Sequence, residues 1–266
     1  KLNHPEEIVP RGALEAPTGR APDAREIKLA EQLIAALEGD FDPEATRAQV
    51  EQYFGSLPKV EAKPRPTPAS PAKLSEVVRH ELTDNVTLPK LTMAWLSPAL
   101  YAPGDAEPDL LSAILSDGKV SRLYKKLVYD RKIAQSVQAY QSSKAVRSNF
   151  AIEVVASPGV SLADLEKAVD EEIERLRKEP VSDEELSRAR NQYEAAFIRR
   201  MESLATRASL LNGYFASRGE PDWAAADLQR YLDATPASLQ RIASQILDPG
   251  QRVIMHILPK PDAEAP

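Results

Sequence analysis

Five prolines fall within one short stretch of the chain, and they limit the fold more than any other feature of the sequence. The stretch is SLPKVEAKPRPTPASPA, in which small and charged residues separate the prolines. Proline lacks a backbone N–H and fixes its φ angle, so neither a helix interior nor a central strand can cross such a run. We therefore predict an extended linker over residues 58–73, with separate folded parts before and after it.

The segment before the linker has clear signals for one helix. In GDFDPEATRAQVEQYFGSLP, Asp42 is a good N-cap residue, Pro43 suits the first helical position, and Gly55 can end a helix. We therefore predict a helix over residues 43–54. The preceding segment AREIKLAEQLIAALEG, residues 24–39, has helical propensity, but LIAAL before Gly-Asp is equally typical of a buried strand. Both alternatives remain open for this segment.

After the linker, five segments have patterns that favour strands. Each contains β-branched or aromatic residues with partial alternation of apolar and polar positions. The first four form two pairs that are close in sequence, which is typical of hairpins. The segments are SEVVRHEL at 75–82, KLTMAWLS at 90–97, AQSVQAYQS at 134–142, NFAIEVVAS at 149–157 and RVIMHILPK at 252–260.

Helical patterns fill the stretches between these strands. EPDLLSAILSDGKVSRLYKKLVYDRK predicts two helical segments separated at Asp117-Gly118. Ser161 with Asp164, and Ser182 with Glu185, resemble capping boxes at the starts of two long helices, and three further helical stretches precede the last strand. The order β-β-α-α-β-β-α-α-α-α-α-β predicts an α+β fold, with a mixed or antiparallel β-sheet covered by helices on one face.

Composition argues against several classes of partner. The formal net charge is −6, with 34 basic and 40 acidic residues interleaved, so we expect no nucleic-acid-binding surface. No run approaches the roughly 20 apolar residues of a membrane span, so we expect no membrane insertion. The absence of cysteine excludes disulfides and thiolate metal sites, and it fits any compartment. The sequence therefore leaves the cellular location open. A periplasmic or other extracytoplasmic bacterial location is one of the alternatives.

The start of the chain is one residue short of an inverted zinc-peptidase motif. H-x-x-E-H places two imidazoles one helical turn apart, with a glutamate that takes a proton from metal-bound water. In the segment HPEEI, which begins at His4, Ile8 stands where the second histidine is needed. The other two histidines, His80 and His256, have no ligand spacing to His4 or to each other. We therefore predict no catalytic residues and no metal ligands in this chain.

Four segments share features with one known family. GDFDPEATRAQVEQYFGSLP looks like the last strand and helix of that family's first domain. LSDGKVSRLYKKLVYDRKIAQSVQAY resembles the helix-turn-helix-strand signature of every family domain, with Gly118, Ser121, Arg122 and Leu123 at its glycine-Ser-Arg-Leu positions. The two long helices and the strand RVIMHILPK resemble the paired helices and closing strand. The chain therefore resembles the insulinase/pitrilysin family of zinc metallopeptidases over about residues 33–260.

This resemblance implies repeated α+β domains, like those of mitochondrial processing peptidase-like metallohydrolases, that enclose a chamber where peptides are cut. It implies that residues 1–57 are the tail of a preceding family domain, that 74–260 form a complete non-catalytic domain beyond the linker, and that 261–266 are a tail. The family's zinc motif lies in one domain only. We therefore expect zinc in an active domain of the parent or of a partner subunit, and no activity from this chain alone. Unfolded peptide is the other implied partner.

The resemblance also identifies positions that hold substrate in active relatives, where an arginine and a tyrosine lie within L-R-x-x-x-x-L-x-Y. Here Val128 and Gln135 stand at those positions, and neither can repeat the role. We therefore expect weak peptide binding along a sheet face or edge of the strands AQSVQAYQ and NFAIEVVA, with Gln135, Gln138 and Tyr140 as candidate substrate-binding residues. Two alternatives stay open. These strands simply face helices on one side and water on the other, or the chain is an inactive scaffold or interaction subunit of the same fold.

Overall fold

The computed structural model of the chain describes residues 42–56, 69 and 71–260. The predictions for the His4 motif, for residues 24–39, for most of the linker at 58–73 and for the tail at 261–266 lie outside the described residues. The chain divides into two compact units. One combines Lys1–Pro66 with Arg199–Pro221, and the other combines Thr67–Ile198 with Asp222–Pro266.

The larger unit contains a five-stranded sheet. Its strand order is β1-β5-β2-β4-β3, in which β1 and β5 are parallel and all other neighbours are antiparallel. The strands are β1 (Val78–Asp84), β2 (Lys90–Ser97), β3 (Ala134–Ser142), β4 (Ser148–Ala156) and β5 (Val253–Pro259).

The mixed sheet confirms the predicted fold class, but one strand pairing differs from the prediction. β3 and β4 form the expected hairpin, whereas β5 lies between β1 and β2 and pairs with both. Six of the seven β1 residues are exposed, which suits a charged edge strand. The β5 sequence VIMHIL is apolar enough for a position with a neighbour on each side. The exposure of β1 thus agrees with its place at the edge of the sheet, and the apolar sequence of β5 agrees with its place between two strands.

The helices follow the predicted order, and one of them has a different geometry. Tyr124–Asp130, predicted to be α-helical, forms a π-helix. The α-helices are α1 (Pro43–Phe54), α2 (Ala106–Ser116), α3 (Leu162–Lys178), α4 (Asp183–Glu202), α5 (Leu204–Arg218), α6 (Ala224–Leu232) and α7 (Pro236–Ile246). Within the described ranges, none of these helices is both long and apolar enough to span a membrane.

The predicted helix starts are confirmed by their capping bonds. The Asp42 carboxylate accepts hydrogen bonds at 2.9 and 3.1 Å from two N–H groups in the first turn of α1. Ser161 accepts from the Asp164 N–H at 3.1 Å and caps α3. Ser182 and Glu185 form a reciprocal capping box at α4, with bonds of 2.9 and 3.2 Å. These local bonds explain why the helix boundaries follow from short sequence patterns.

Helices cover one face of the sheet, where β2 and β4 bury alternate side chains. These are Leu91, Met93 and Trp95 of β2, and Phe150, Ile152 and Val154 of β4. α3 contacts both strands, and α7 contacts β2. We call the opposite side of the three neighbouring strands the open face. It carries Lys90, Thr92, Ala94 and Leu96 of β2, Asn149, Ala151, Glu153 and Val155 of β4, and Ser136, Gln138 and Tyr140 of β3.

The smaller unit contains α1 and α5. Ser203 caps the start of α5 by accepting a hydrogen bond from the Thr206 N–H, and Gly219 ends the helix with a left-handed φ of 78°. Three large apolar side chains lie on one side of this helix because they are spaced by seven and four residues. These are Leu204, Leu211 and Phe215, whose exposed fractions are 48%, 42% and 59%. We call them the α5 apolar face.

Candidate functional site

The glycine-Ser-Arg-Leu signature forms a structural turn after α2. Gly118 has a φ of 78°, in the left-handed region that side-chain-bearing residues rarely adopt. The Ser121 hydroxyl donates to the Gly118 carbonyl at 2.7 Å and closes the turn. Leu123 is fully buried in the core. These three residues therefore reverse the chain and fix it to the core, and none is available for chemistry.

Arg122 connects this turn to two helices. Its Nε and Nη2 donate to the two carboxylate oxygens of Glu185 on α4, at 2.7 and 2.9 Å, and its Nη1 lies 3.5 Å from Glu172 on α3. The bond from Arg122 is the largest cause that lowers the pKa of Glu185 to about 2. Two of the three guanidinium nitrogens thus bond Glu185 in a partly buried ion pair, while Nη1 lies near Glu172 without a hydrogen bond. This ion pair makes Arg122 part of the scaffold.

Two of the three predicted site residues meet on the open face. Gln138 pairs with Glu153 across the β3–β4 ladder. The Tyr140 hydroxyl donates to the Glu153 carboxylate at 2.9 Å, and this bond is the largest cause that raises the pKa of Tyr140. Lys90 on β2 forms an ion pair with the same carboxylate. The three strands therefore bring an amide, a phenol, an acid and a base together, beside a shallow cavity of about 460 Å³.

Gln135, the third predicted residue, lies apart from this group. The ladder shifts register between Ala134 and Ser136, so Gln135 is the extra residue of a β-bulge. Its side chain is exposed and does not line the cavity. Sequence reasoning missed Glu153 and Lys90, although Glu153 is the one charged residue in NFAIEVVA. The missing information was the register that sets it opposite Gln138.

The strand edges limit how a peptide could pair with this surface. β4 has a neighbour on each side, so its main chain cannot accept another strand. On β3 the Ala139 N–H points to the outer edge, where it donates to the Ser116 hydroxyl at the end of α2 at 2.8 Å. At the other end of the sheet, no described strand pairs with the outer side of β1. The β4 main chain and the Ala139 N–H are therefore already paired, whereas side chains on the open face are available to a peptide.

The positions of the family's substrate-holding pair have no such role here. Val128 packs against the hydrophobic core. Its neighbour Tyr129 is 72% exposed, and Arg131 pairs with Glu171 at 3.6 Å.

Zinc does not fit the described residues. His80 is in register with Met255, while His256 is the next residue along β5, so the two imidazoles lie on opposite faces of the sheet. His256 lies 3.6 Å from Glu166 on α3. Within residues 42–56, 69 and 71–260, no group of three or more His, Cys, Asp or Glu side chains could hold a metal ion.

Comparison with known proteins identifies the family. The model of the peptidase M16 inactive domain matches residues 27–193, which is more than half of the chain. The chain belongs to the M16 peptidase family, as an inactive domain. This confirms the resemblance to the insulinase/pitrilysin peptidases and agrees with the structural role of the signature turn.

A bacterial zinc protease is among the relatives of this M16 domain. The zinc protease PqqE of Helicobacter pylori is 24% identical over 229 residues, which cover 85% of this chain and 51% of the relative. A protease crystal structure from the same organism has a TM-score of 0.74 at 23% identity, covering 83% of this chain and 53% of that one. An M16 inactive domain from Pseudomonas fluorescens has a TM-score of 0.70 at 20% identity, covering 86% and 53%. The chain thus spans about half the length of these relatives.

Proposed function

We propose that this M16 domain is the non-catalytic half of a zinc metallopeptidase, where it walls the chamber and helps to hold peptide substrate. The match to an inactive domain supports the proposal, together with a relative that is about twice as long and is named a zinc protease. An inactive M16 domain implies pairing with a catalytic one. Zinc and the proton-transfer groups then belong to that partner, either in the same parent chain or in another subunit.

The open face supports a role in holding peptide through side chains. Gln138 offers an amide, and Tyr140 keeps its acceptor lone pairs after donating to Glu153. Lys90 and Glu153 neutralise each other, so the surface has no net charge that would select one peptide sequence. With Val128 and Gln135 in place of an arginine and a tyrosine, no charge-assisted bond reaches a peptide carbonyl. Binding through this surface is therefore weak and tolerant of sequence.

The α5 apolar face supports pairing with the catalytic half. Leu204, Leu211 and Phe215 extend over about 17 Å along the helix, and each exposes 42–59% of its surface. Apolar residues grouped on one surface mark an interface more often than a solvated surface. The catalytic half is the occupant we propose, because the chain covers only 51% of its curated relative and an M16 inactive domain implies such a partner.

Two measurements test the proposed function. The chain is first incubated with zinc and a quenched peptide library, where we expect no chelator-sensitive cleavage. It is then titrated with a reduced, carboxymethylated and fluorescently labelled polypeptide while backbone hydrogen exchange is followed. We expect weak binding with increased protection in β3 and β4. Chelator-sensitive turnover would contradict the non-catalytic role, and protection confined to the helices would contradict the peptide-binding role.

The pairing is tested with the zinc-bearing M16 half supplied as a separate polypeptide. Phe215→Asp places a charge on the α5 apolar face, and we expect it to weaken association at least tenfold, because a buried unpaired carboxylate is costly. Ala216→Asp, one position away on the same exposed helix, is the matched control. Equal effects of the two substitutions would show that the partner does not contact this face.

An inactive scaffold or interaction subunit is the second candidate function. Two observations favour it: the Ala139 main chain is already bonded to Ser116, and the Tyr140 donor is already used by Glu153. A scaffold would associate with the catalytic half and leave the hydrogen exchange of β3 and β4 unchanged by unfolded polypeptide.

A further inference from the structure

A second cavity, of about 540 Å³, lies at the end of the sheet where β2 stops and β5 begins. Its wall comes from the segment before β1, the residues after β2, the turn between β3 and β4, and the end of α7. It shares no lining residue with the shallow cavity beside Gln138. The two sites can therefore be tested separately.

The charged residues that line this cavity are both basic. Lys73 and Arg147 belong to its wall, together with Gln245 and Gln251, and none of the described acidic residues does. In the described part of the chain, neither Lys73 nor Arg147 has a hydrogen bond or an ion pair through its side chain. The cavity thus has two positive charges that no described carboxylate balances.

Five arginines of the described chain have a buried guanidinium nitrogen without an acceptor, and Arg147 differs from the other four. Its Nε is buried without an acceptor, as is one guanidinium nitrogen in each of four other arginines of the described chain. Those four bond through another nitrogen, to a carboxylate or a carbonyl. They are Arg122, Arg177, Arg190 and Arg252. Arg147 alone among the five has no described acceptor on any nitrogen, although a desolvated N–H without an acceptor is costly. An anion in the cavity would give this guanidinium, which lines it, an acceptor.

The rest of the wall indicates what kind of molecule carries the anion. Leu74, Leu96, Pro98, Pro103 and Ile246 make much of it apolar. An isolated phosphate would leave these surfaces in water, whereas a carboxylate next to an aliphatic side chain would use both the cations and the apolar wall. The volume lies within the range of roughly 300–1,000 Å³ that is usual for ligand pockets.

We propose that this cavity binds the C-terminal carboxylate of a peptide whose last side chain is apolar. Arg147 presents a planar fork of N–H donors that matches the two carboxylate oxygens, and Lys73 adds a second positive charge. Gln245 and Gln251 line the same cavity and offer amide groups to the last peptide unit. This site goes beyond the proposed function, because it requires neither a catalytic partner nor binding at Gln138 and Tyr140.

The test is fluorescence anisotropy of the full chain with labelled hexapeptides. One probe ends in leucine with a free carboxylate, a second is the same sequence with a C-terminal amide, and a third has the amide and one internal aspartate. We expect the first to bind at least about tenfold more tightly than the other two, since charge-assisted bonds are roughly twice as strong as neutral ones. Equal affinity of the first two would overturn the proposal. Equal affinity of the first and third would show recognition of an acidic side chain, which also overturns it.

Substitutions of the lining residues test whether the carboxylate probe binds in this cavity. Arg147→Met keeps most of the side-chain volume and removes the charge, and we expect it to weaken the carboxylate probe about tenfold while leaving the amide probe unchanged. Lys73→Met should have the same selectivity with a smaller effect. Arg131→Met, which removes an exposed arginine outside the cavity, is the matched control. A thermal unfolding curve for each variant checks that it is folded.

Two further outcomes distinguish a carboxylate site in this cavity from a general anion site and from peptide binding on the open face. If inorganic phosphate displaces the carboxylate probe at concentrations comparable to those of the unlabelled peptide, the cavity is a general anion site and the proposal fails. If unfolded polypeptide protects β3 and β4 while none of the hexapeptides binds, the proposal fails and the proposed function stands.

Discussion

The turn at Gly118–Leu123 and the cavity around Arg147 each contain an arginine guanidinium group, but the two groups differ in whether they have hydrogen-bond acceptors. Arg122 in the turn bonds both oxygens of Glu185 and lies 3.5 Å from Glu172. Arg147 in the cavity has no acceptor in the part of the chain that the structure describes. The Arg122 charge is thus compensated by protein carboxylates, whereas no described carboxylate pairs with Arg147. The residues of the family signature therefore have a structural role. A charged side chain without a partner of opposite charge, such as Arg147, is a better indication of a ligand site.

The largest effect that we expect from this difference is on stability. Arg122→Met leaves the Glu185 and Glu172 carboxylates without their main partner, and it should lower the free energy of unfolding by about 3–5 kcal/mol. Arg147→Met removes no bond and should change it by less than about 1 kcal/mol. Urea unfolding at neutral pH measures both values.

A control and a second variant sharpen this prediction. Arg47→Met breaks an ion pair whose two side chains are 73% and 69% exposed, and it should change stability by less than about 1 kcal/mol. Adding Glu185→Gln to Arg122→Met should recover part of the loss. An Arg122→Met variant as stable as the parent chain would show that the turn does not depend on this pair.

The next effect is on the pH dependence of stability, and it compares two acids: one is paired with an arginine and the other is mainly affected by burial. Glu185 is bonded by Arg122, which lowers its pKa to about 2. Asp109 accepts a 2.8 Å bond from the Tyr231 hydroxyl, but burial is the larger influence and raises its pKa to about 6. Because this folded pKa lies above the ordinary value, the contribution of Asp109 to stability is full below pH 4 and is lost as pH rises through about 6.

Asp109→Asn should therefore raise the free energy of unfolding at pH 7 by about 2 kcal/mol, with little change near pH 3.5. The contribution of Glu185 has the opposite sign: it is present above about pH 4.5 and is lost as pH falls through about 2. Glu185→Gln should flatten that acid limb only. Urea midpoints across the pH range measure both effects, and an Asp109→Asn variant with the pH profile of the parent chain would contradict the assignment.

The sequence predicted those parts of the fold that depend on local bonds. Capping residues such as Asp42, Ser161 and Ser182 mark helix starts because their partners lie two or three residues away. The insertion of β5 between β1 and β2 joins segments more than 150 residues apart, and no local pattern encodes it. The register that places Glu153 beside Tyr140 is nonlocal for the same reason. The lack of an acceptor for Arg147 is a property of a three-dimensional surrounding, so sequence reasoning did not find it.

A smaller effect tests whether the signature glycine is needed for its conformation alone. A Cβ atom on Gly118 would meet nothing within 4 Å, so the cost of Gly118→Ala comes only from its φ of 78°, and we expect about 1–2 kcal/mol. Gly213 also has open space but lies inside α5, where Gly213→Ala should instead stabilise by about 0.5–1 kcal/mol. Thermal unfolding of the two variants should give shifts of opposite sign. A neutral Gly118→Ala would show that the turn tolerates another geometry.

The smallest effect is expected on the open face, where the groups are neutral or already paired. Tyr140→Phe removes the bond to Glu153 and one acceptor for peptide, while Lys90 still compensates the Glu153 charge. We expect about threefold weaker binding of the labelled unfolded polypeptide and a stability loss of about 1.5 kcal/mol, the low end for a bond to a charged group, because Lys90 still compensates the carboxylate. Tyr129→Phe, on a tyrosine that is 72% exposed, is the matched control and should leave both values unchanged.

The C-terminal carboxylate probe should bind both variants as it binds the parent chain, because its site lies in the other cavity. A Tyr140→Phe variant that loses both ligands would mean that the open face and the Arg147 cavity act as one site, and the contrast between paired and unpaired groups would then not separate two functions.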